Sequence, residues 1–319
     1  MPKYQDFEAD FKTQVFHSLP IQRYFFSAGE QNSWSVASQE DGLKEFLDPI
    51  FQTNSLEGIK RNFGYGTVHN VGRLAINELL EKDNLAFSFS YVGYFVGLVM
   101  AIGSALLGEH VSLQADLIAI AIYGLGAILL LNITTVINEF IIFSKFKIKK
   151  EILEDQNAGT GIIEAANYIS TGLIILGASK GADSNLMILA YWGIAQVALI
   201  LSSILYNIIT PYDIHTEIEK DNVAVGVGYS GSIIAISIIV SNAVSIHFEL
   251  FSEAITSIIS LIVIGFILIP IARLITGKFV LSGYSLKDEL VGQVKPNIGA
   301  GLIEAMAYIS VALLITWCF

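Results

Sequence analysis

From Asn84 onward this chain is a succession of apolar runs, at 84–107, 116–143, 157–178, 186–209, 222–246, 253–276 and 297–318. Each is long enough to cross about 30 Å of hydrocarbon at a rise of about 1.5 Å per residue. Hydrocarbon offers no water to bond the main chain, so segments of this kind satisfy their own peptide groups as helices. The expected fold class is all-α: a polytopic transmembrane helical bundle of seven spans behind a cytosolic N-terminal helical segment, residues 1–83. Only 15% of the residues are charged, well below the roughly 25% of soluble domains, which makes the lipid bilayer a partner. A net charge of −11 argues against nucleic acid. Cys318 is the only cysteine and the five histidines are scattered, so neither a disulfide framework nor a metal centre is expected. No cofactor is expected either. Because the N-terminus is polar, no cleavable leader is expected.

Basic residues set the expected orientation. Lys145, Lys147, Lys149 and Lys150 lie in one loop, Lys220 in another, and Arg273, Lys278, Lys287 and Lys295 at a third. These loops alternate with ones that hold only Lys180, and eight further Lys and Arg precede the first span. The positive-inside rule then puts the N-terminus in the cytoplasm and the C-terminus outside. The expected location is the bacterial cytoplasmic (inner) membrane.

The chain also repeats itself. Lys82-Asp-Asn-Leu-Ala-Phe-Ser-Phe-Ser-Tyr91 returns as Lys220-Asp-Asn-Val-Ala-Val-Gly-Val-Gly-Tyr229. Asn157-Ala-Gly-Thr-Gly-Ile-Ile-Glu-Ala-Ala-Asn-Tyr-Ile-Ser170 returns as Asn297-Ile-Gly-Ala-Gly-Leu-Ile-Glu-Ala-Met-Ala-Tyr-Ile-Ser310. Spans one to three therefore correspond to spans five to seven. Copies that begin four spans apart share one orientation, so two parallel repeats are expected, at 84–178 and 186–319. Such copies can build one pseudo-symmetric bundle or stand in for subunits of a homo-oligomer.

Tyr206-Asn-Ile-Ile-Thr-Pro-Tyr-Asp213, Lys220-Asp-Asn-Val-Ala224 with Tyr229-Ser-Gly231, and Asn297-Ile-Gly-Ala-Gly-Leu-Ile-Glu304 resemble the small bacterial inner-membrane proteins typified by YjfL. These form the domain of unknown function 350 family. A unit of that family has about four spans, so the resemblance implies two tandem copies. Residues 186–319 look like one full unit, and residues 82–178 like one whose first span is replaced by the polar segment 1–83. The resemblance implies a bacterial membrane protein and brings no catalytic residues with it.

The side chains most exposed to functional interpretation are Glu164 and Glu304. Each lies seven residues past the asparagine that opens its span, about 10 Å along the helix. A carboxylate at that depth is costly and turns toward a bundle interior, a cavity or a partner. Helical spacing puts Asn157, Gly161, Glu164 and Tyr168 on one face, and Asn297, Gly301, Glu304 and Tyr308 on the matching one. That face suits a polar path for ions, with each tyrosine bonding its carboxylate. The plainer reading is an acid near a helix N-terminus paired with a base, for which Arg273 is the candidate. Asn132, Asn138 and Glu139 add polarity to span two; Glu139 is a further path candidate, and the asparagines suit interhelical hydrogen bonds.

Asp83-Asn84 and Asp221-Asn222 stand where spans one and five leave the cytoplasm, placed either to cap helices or to form a cation-attracting vestibule. Gly226-x-Gly228-x-x-Gly231 matches a dinucleotide fingerprint in letters only, since an apolar span contains it. Gly93 with Gly97, Gly161, Gly231 and Gly301 instead read as seams where helices approach closely. Pro270 is expected to kink span six beside Arg273. The chain has no HExxH, GxSxG or P-loop motif, so no enzyme is expected. Two functions fit: permeation or sensing of a proton or small cation along repeated glutamates, or a non-transporting scaffold that recruits a cytosolic protein through residues 1–83.

Overall fold

Seven helices, three of them bounded by asparagine caps that their own chain buries, dominate the architecture. The computed structural model describes residues 75–106, 112–141, 148–248 and 251–318. Most of the 1–83 segment lies outside these, as do the side chains of Asn138 and Glu139. In chain order the helices are α1 (Leu85–Leu106), α2 (Leu113–Ile141), α3 (Ile148–Leu153), α4 (Ala158–Gly181), α5 (Asn185–Ile209), α6 (Ile214–Glu219), α7 (Val223–Ser245), α8 (Phe251–Ile275) and α9 (Ile298–Cys318). Short π-helical turns occupy Asn77–Glu81, Thr276–Val280 and Asp288–Gly292. Among the described residues there is no strand, and seven helices are long and apolar enough to cross a membrane.

The odd-numbered spans α1, α4, α7 and α9 pack side by side in that order and point the same way. The even spans lie across their joints: α2 against α1 and α4, α5 against α4 and α7, α8 against α7 and α9. Parallel packing this tight needs small residues, because lipid supplies no hydrophobic force between helices and close backbone approach must do so instead. A Cβ added at Gly161 would overlap the Ala86 carbonyl, one at Gly301 the Ala224 carbonyl, and one at Gly226 would meet Gly159. Each joint thus seats the residue four past one cap on the residue two past the preceding cap. Further along, Gly93 meets Ala165 and Gly231 meets Ala305, again in matching register. Gly97 faces the Tyr168 carbonyl.

The register is pinned at the entry end by a clasp that recurs four times. A glutamate on a short amphipathic turn precedes each odd span. Its main-chain oxygen accepts from the N–H of the capping asparagine, at 2.9 Å for Glu78–Asn84, 2.8 Å for Glu151–Asn157, 3.1 Å for Glu217–Asn222 and 2.8 Å for Glu289–Asn297. Its carboxylate accepts from the same asparagine's side-chain amide, at 2.8, 2.9, 3.1 and 2.8 Å in turn. The asparagine Oδ1 meanwhile accepts from the N–H three residues on, in Phe87, Thr160, Val225 and Ala300, which is ordinary N-capping. The residue before the cap is left-handed in the first three clasps: Asp83 at φ 50°, Gln156 at 53° and Asp221 at 56°. Pro296 takes that place in the fourth, where its ring holds φ negative.

The second amide hydrogen ties the units together. Asn84 donates to the Ile152 carbonyl at 2.8 Å, Asn157 to that of Ile218 at 2.6 Å, and Asn222 to that of Leu290 at 2.8 Å. In every case the acceptor is the residue after the next clasp glutamate. These three asparagines are buried, whereas Asn297 at the end of the row is exposed.

Two outcomes follow from the clasp. Asn157→Asp keeps the capping oxygen and loses the amide, which orphans the Ile218 carbonyl and sets two carboxylates together. Each orphaned group costs about 1–3 kcal/mol, so the detergent-solubilised variant should melt well below wild type, and Asn297→Asp should melt much closer to it. At Glu78, burial raises the carboxyl pKa, but hydrogen bonds from Lys82 and Asn84 and the Lys82 charge outweigh it and hold the group below its ordinary range. A lowered folded-state value means that this stabilisation is complete above the ordinary glutamate value of about 4.3 and is lost as pH falls through the folded value. Melting temperatures measured from pH 7 down to the acid limb should fall less steeply for Glu78→Gln than for wild type.

Candidate functional site

The two repeated glutamates occupy unlike surroundings. Glu304, on α9, is 0% exposed. Its Oε1 is ion-paired with Arg273 Nη1 of α8, a residue 8% exposed. Tyr308, one helical turn on, donates to the same oxygen at 2.6 Å, and Tyr206 of α5 donates at 3.3 Å. Arg273 also donates to the Tyr308 hydroxyl at 3.3 Å. Its guanidinium lies over the rings of Tyr206, at 5.7 Å, and Tyr212, at 5.9 Å, where cation–π attraction adds to the ion pair. Three helices, α5, α8 and α9, therefore meet at one carboxylate. Pro270 lies within α8, one turn before Arg273.

Gly228 of α7 explains how so large a cluster fits. A Cβ there would stand 2.5 Å from Glu304 Oε2 and 2.9 Å from the Tyr206 hydroxyl. The glycine pattern that mimics a dinucleotide fingerprint is thus a packing device: Gly226 admits α4 and Gly228 admits the carboxylate. Glu304 Oε2 itself has no hydrogen-bond partner among the described residues.

Glu164, on α4, is half-buried at the α1–α4 joint. Ser90 of α1 donates its hydroxyl to Oε2, and Tyr168 donates to Oε1 at 3.3 Å. Tyr94 packs edge-on against Tyr168, ring centres 5.2 Å apart. Ser90 occupies the repeat position of Gly228, and Ile133 that of Arg273. The first half thus presents a hydroxyl where the second presents a glycine pressed against the carboxylate, and an exposed aliphatic side chain where the second presents a guanidinium.

The remaining candidates divide by location. Tyr168 and Tyr308 each touch the glutamate of their own helix. Asn157 and Asn297 do not join them: both are clasp residues at the span entrance, and Gly161 and Gly301 lie against the neighbouring backbone. The single helical face expected to line a path is therefore split between a clasp, a seam and a carboxylate. Asn84 and Asn222 are clasp residues likewise. Asp83 and Asp221 supply the left-handed step before them, and Asp221 also accepts from the Gly159 N–H at 3.5 Å. Glu139 lies outside the described side chains. Asn132 donates to the Ile128 carbonyl of its own helix at 2.6 Å, so its hydrogen bond is intrahelical and not the interhelical one expected, because its side chain faces away from the bundle.

Other polar groups escaped the sequence reading. Gln196 on α5 is 4% exposed, and neither of its amide atoms has a hydrogen-bond partner among the described residues. Asn167 Oδ1 and Ser170 Oγ on α4 and Ser230 Oγ on α7 are buried in the same condition. A lone glutamine in an apolar run carries no signal of burial, since its span has no matching copy upstream. Among the described residues no group of His, Cys, Asp and Glu is placed to hold a metal.

Seven spans with intramembrane acids define a polytopic helical membrane protein, and comparison with known proteins places it further. The model of the Domain of Unknown Function family DUF350 matches twice, at residues 65–179 and 182–319. The chain belongs to that family and carries two tandem copies. The first match begins at residue 65, ahead of the Lys82 start that the repeat alone gives. A UPF0719 transmembrane protein of Aquifex aeolicus (strain VF5) is 24% identical over 247 residues, 74% of this chain and 87% of the relative. No solved structure matches.

The buried pair predicts a specific pattern of rescue. Removing one partner of such a pair costs about 3–5 kcal/mol, because the other charge stays buried. Arg273→Met should therefore melt far below wild type, and Arg273→Met combined with Glu304→Gln should recover much of the loss. Thermal melts of the four proteins in one detergent measure the coupling; additive effects would refute it.

Proposed function

We propose that this protein passes or senses a proton or small cation in the bacterial cytoplasmic membrane, with Glu164 as the responsive group and Arg273–Glu304 as a fixed strut. One observation carries the reading: two acids at the same helical depth differ in exposure, Glu304 being sealed and Glu164 half-buried. The donors at Glu164 are hydroxyls of Ser90 and Tyr168. A hydroxyl both donates and accepts, so it serves the carboxylate and its protonated form alike. A guanidinium only donates, so Arg273 offers Glu304 no acceptor. Intramembrane acids with polar company are commonly ion or proton relays, and the buried polar groups of α4, α5 and α7 extend that company inward. The distribution of Lys and Arg supports a cytoplasmic N-terminus and an external C-terminus.

The sealed Glu304 favours a second reading, a non-transporting scaffold that recruits a cytosolic protein through residues 1–83. Flux separates the two. Proteoliposomes carrying a pH or cation gradient should leak faster with wild type than with Glu164→Gln, which should match empty liposomes. Equal flux from wild type and Glu164→Gln, with both proteins folded, rules out the acid as relay and leaves the scaffold, for which the 1–83 segment should then capture a stoichiometric partner.

A further inference from the structure

Among the described residues, the row of odd spans ends twice without using up its joint. At three positions the capping amide crosses to the carbonyl after the next clasp glutamate; at Asn297, among the described residues, it reaches only its own Glu289. The matching acceptor at the start of the row is the carbonyl of Leu79, the residue after Glu78, on a turn that is partly exposed. We propose that α9 of one copy seats on α1 of a second copy of this chain, in the joint that already links α1 to α4, α4 to α7 and α7 to α9.

Three further features fit that occupant. The internal joints pair the residue two past one cap with the residue four past the next: Ala86 with Gly161, Gly159 with Gly226, Ala224 with Gly301. The free ends present Gly299 and Ser88, small at both positions, and among the described residues a Cβ added at Gly299 would meet only the Asn297 Oδ1 of its own cap, at 3.1 Å. The positions that pair further along, as Gly93 with Ala165 and Gly231 with Ala305, are here Met306 and Val92, 54% and 60% exposed. They are bulkier, so this joint is wider deeper in the membrane, and the pliable methionine suits it. In lipid, polar and small-residue contacts hold helices together better than apolar area does, and the entrance end supplies both. Orientation also agrees: α1 and α9 run the same way, so neighbouring copies share one bilayer and one polarity. The two surfaces differ, which makes the contact head-to-tail, closing into a ring or continuing as a row. Nothing in this depends on the role given to Glu164.

Full-length protein with Cys318→Ser, Gly299→Cys and Ser88→Cys, oxidised in its membrane, tests the joint. The expected result is a ladder at multiples of 34.7 kDa, while either single-cysteine version stays at the monomer mass. A single cysteine that cross-links as well as the pair would mean a two-fold contact and overturn the proposal. So would a pair that never leaves the monomer mass, whether lipid or the chain's own residues 1–74 cover α1. Independently, native mass in mild detergent should fall from a multiple to one copy in folded Gly299→Leu, whose Cβ meets, among the described residues of its own copy, the Asn297 Oδ1 at 3.1 Å. A wild type already at one copy, or a variant that keeps the wild-type mass, counts against the joint.

Discussion

A single side-chain amide, placed where each odd span begins, governs the order of the whole bundle. It caps its own helix, closes onto the glutamate before it and, at the first three spans, reaches across to the main chain of the next unit. Every one of those groups would otherwise be an unsatisfied peptide or carboxylate at the edge of hydrocarbon, where the cost is highest. Once the amides set the register, glycine and alanine fall opposite backbone along the joints, and the even spans settle into the grooves between. The small residues permit close approach; the amides decide which approach.

The two halves share this scaffold and differ inside it. At the seventh residue past the cap, α4 and α9 both carry glutamate, yet Ser90 faces one and Gly228 the other. The substitution is coupled to the even layer: α8 brings Arg273, for which Gly228 leaves room, while Ile133 of α2 turns outward. A charged strut locks α5, α7, α8 and α9 together. Hydroxyls at the α1–α4 joint leave the other carboxylate within a looser setting. Duplication thus gave one acid a structural task and left its twin with different neighbours.

Span number, the limits of the spans and the doubled module were legible because apolar runs and near-identical decapeptides are local signals. The glycine seams were legible too, as were the tyrosines beside each acid, since helical spacing alone sets them one turn apart. The clasp was not. Asn84 and Asn222 read as caps, but nothing in the letters says that a cap amide will bond a carbonyl 68 residues away. The finer four-part order hides for the same reason: Asp-Asn, Gln-Asn and Pro-Asn serve one clasp in three spellings, and the asparagine falls five to eight positions after its glutamate. Tyr206 and Gly228 at the Glu304 cluster were equally hidden, because three-dimensional convergence of α5, α7 and α9 brings them there.

The spacing of the clasp has a bearing on how the protein is made. The carbonyl that completes each asparagine lies 68, 61 or 68 residues downstream. A freshly inserted odd span therefore stays half-tied until the ribosome has delivered an antiparallel return and the following surface turn. Each new pair of spans finishes the one before it, so assembly proceeds like a zip in the direction of translation, and the last tooth is the one left open.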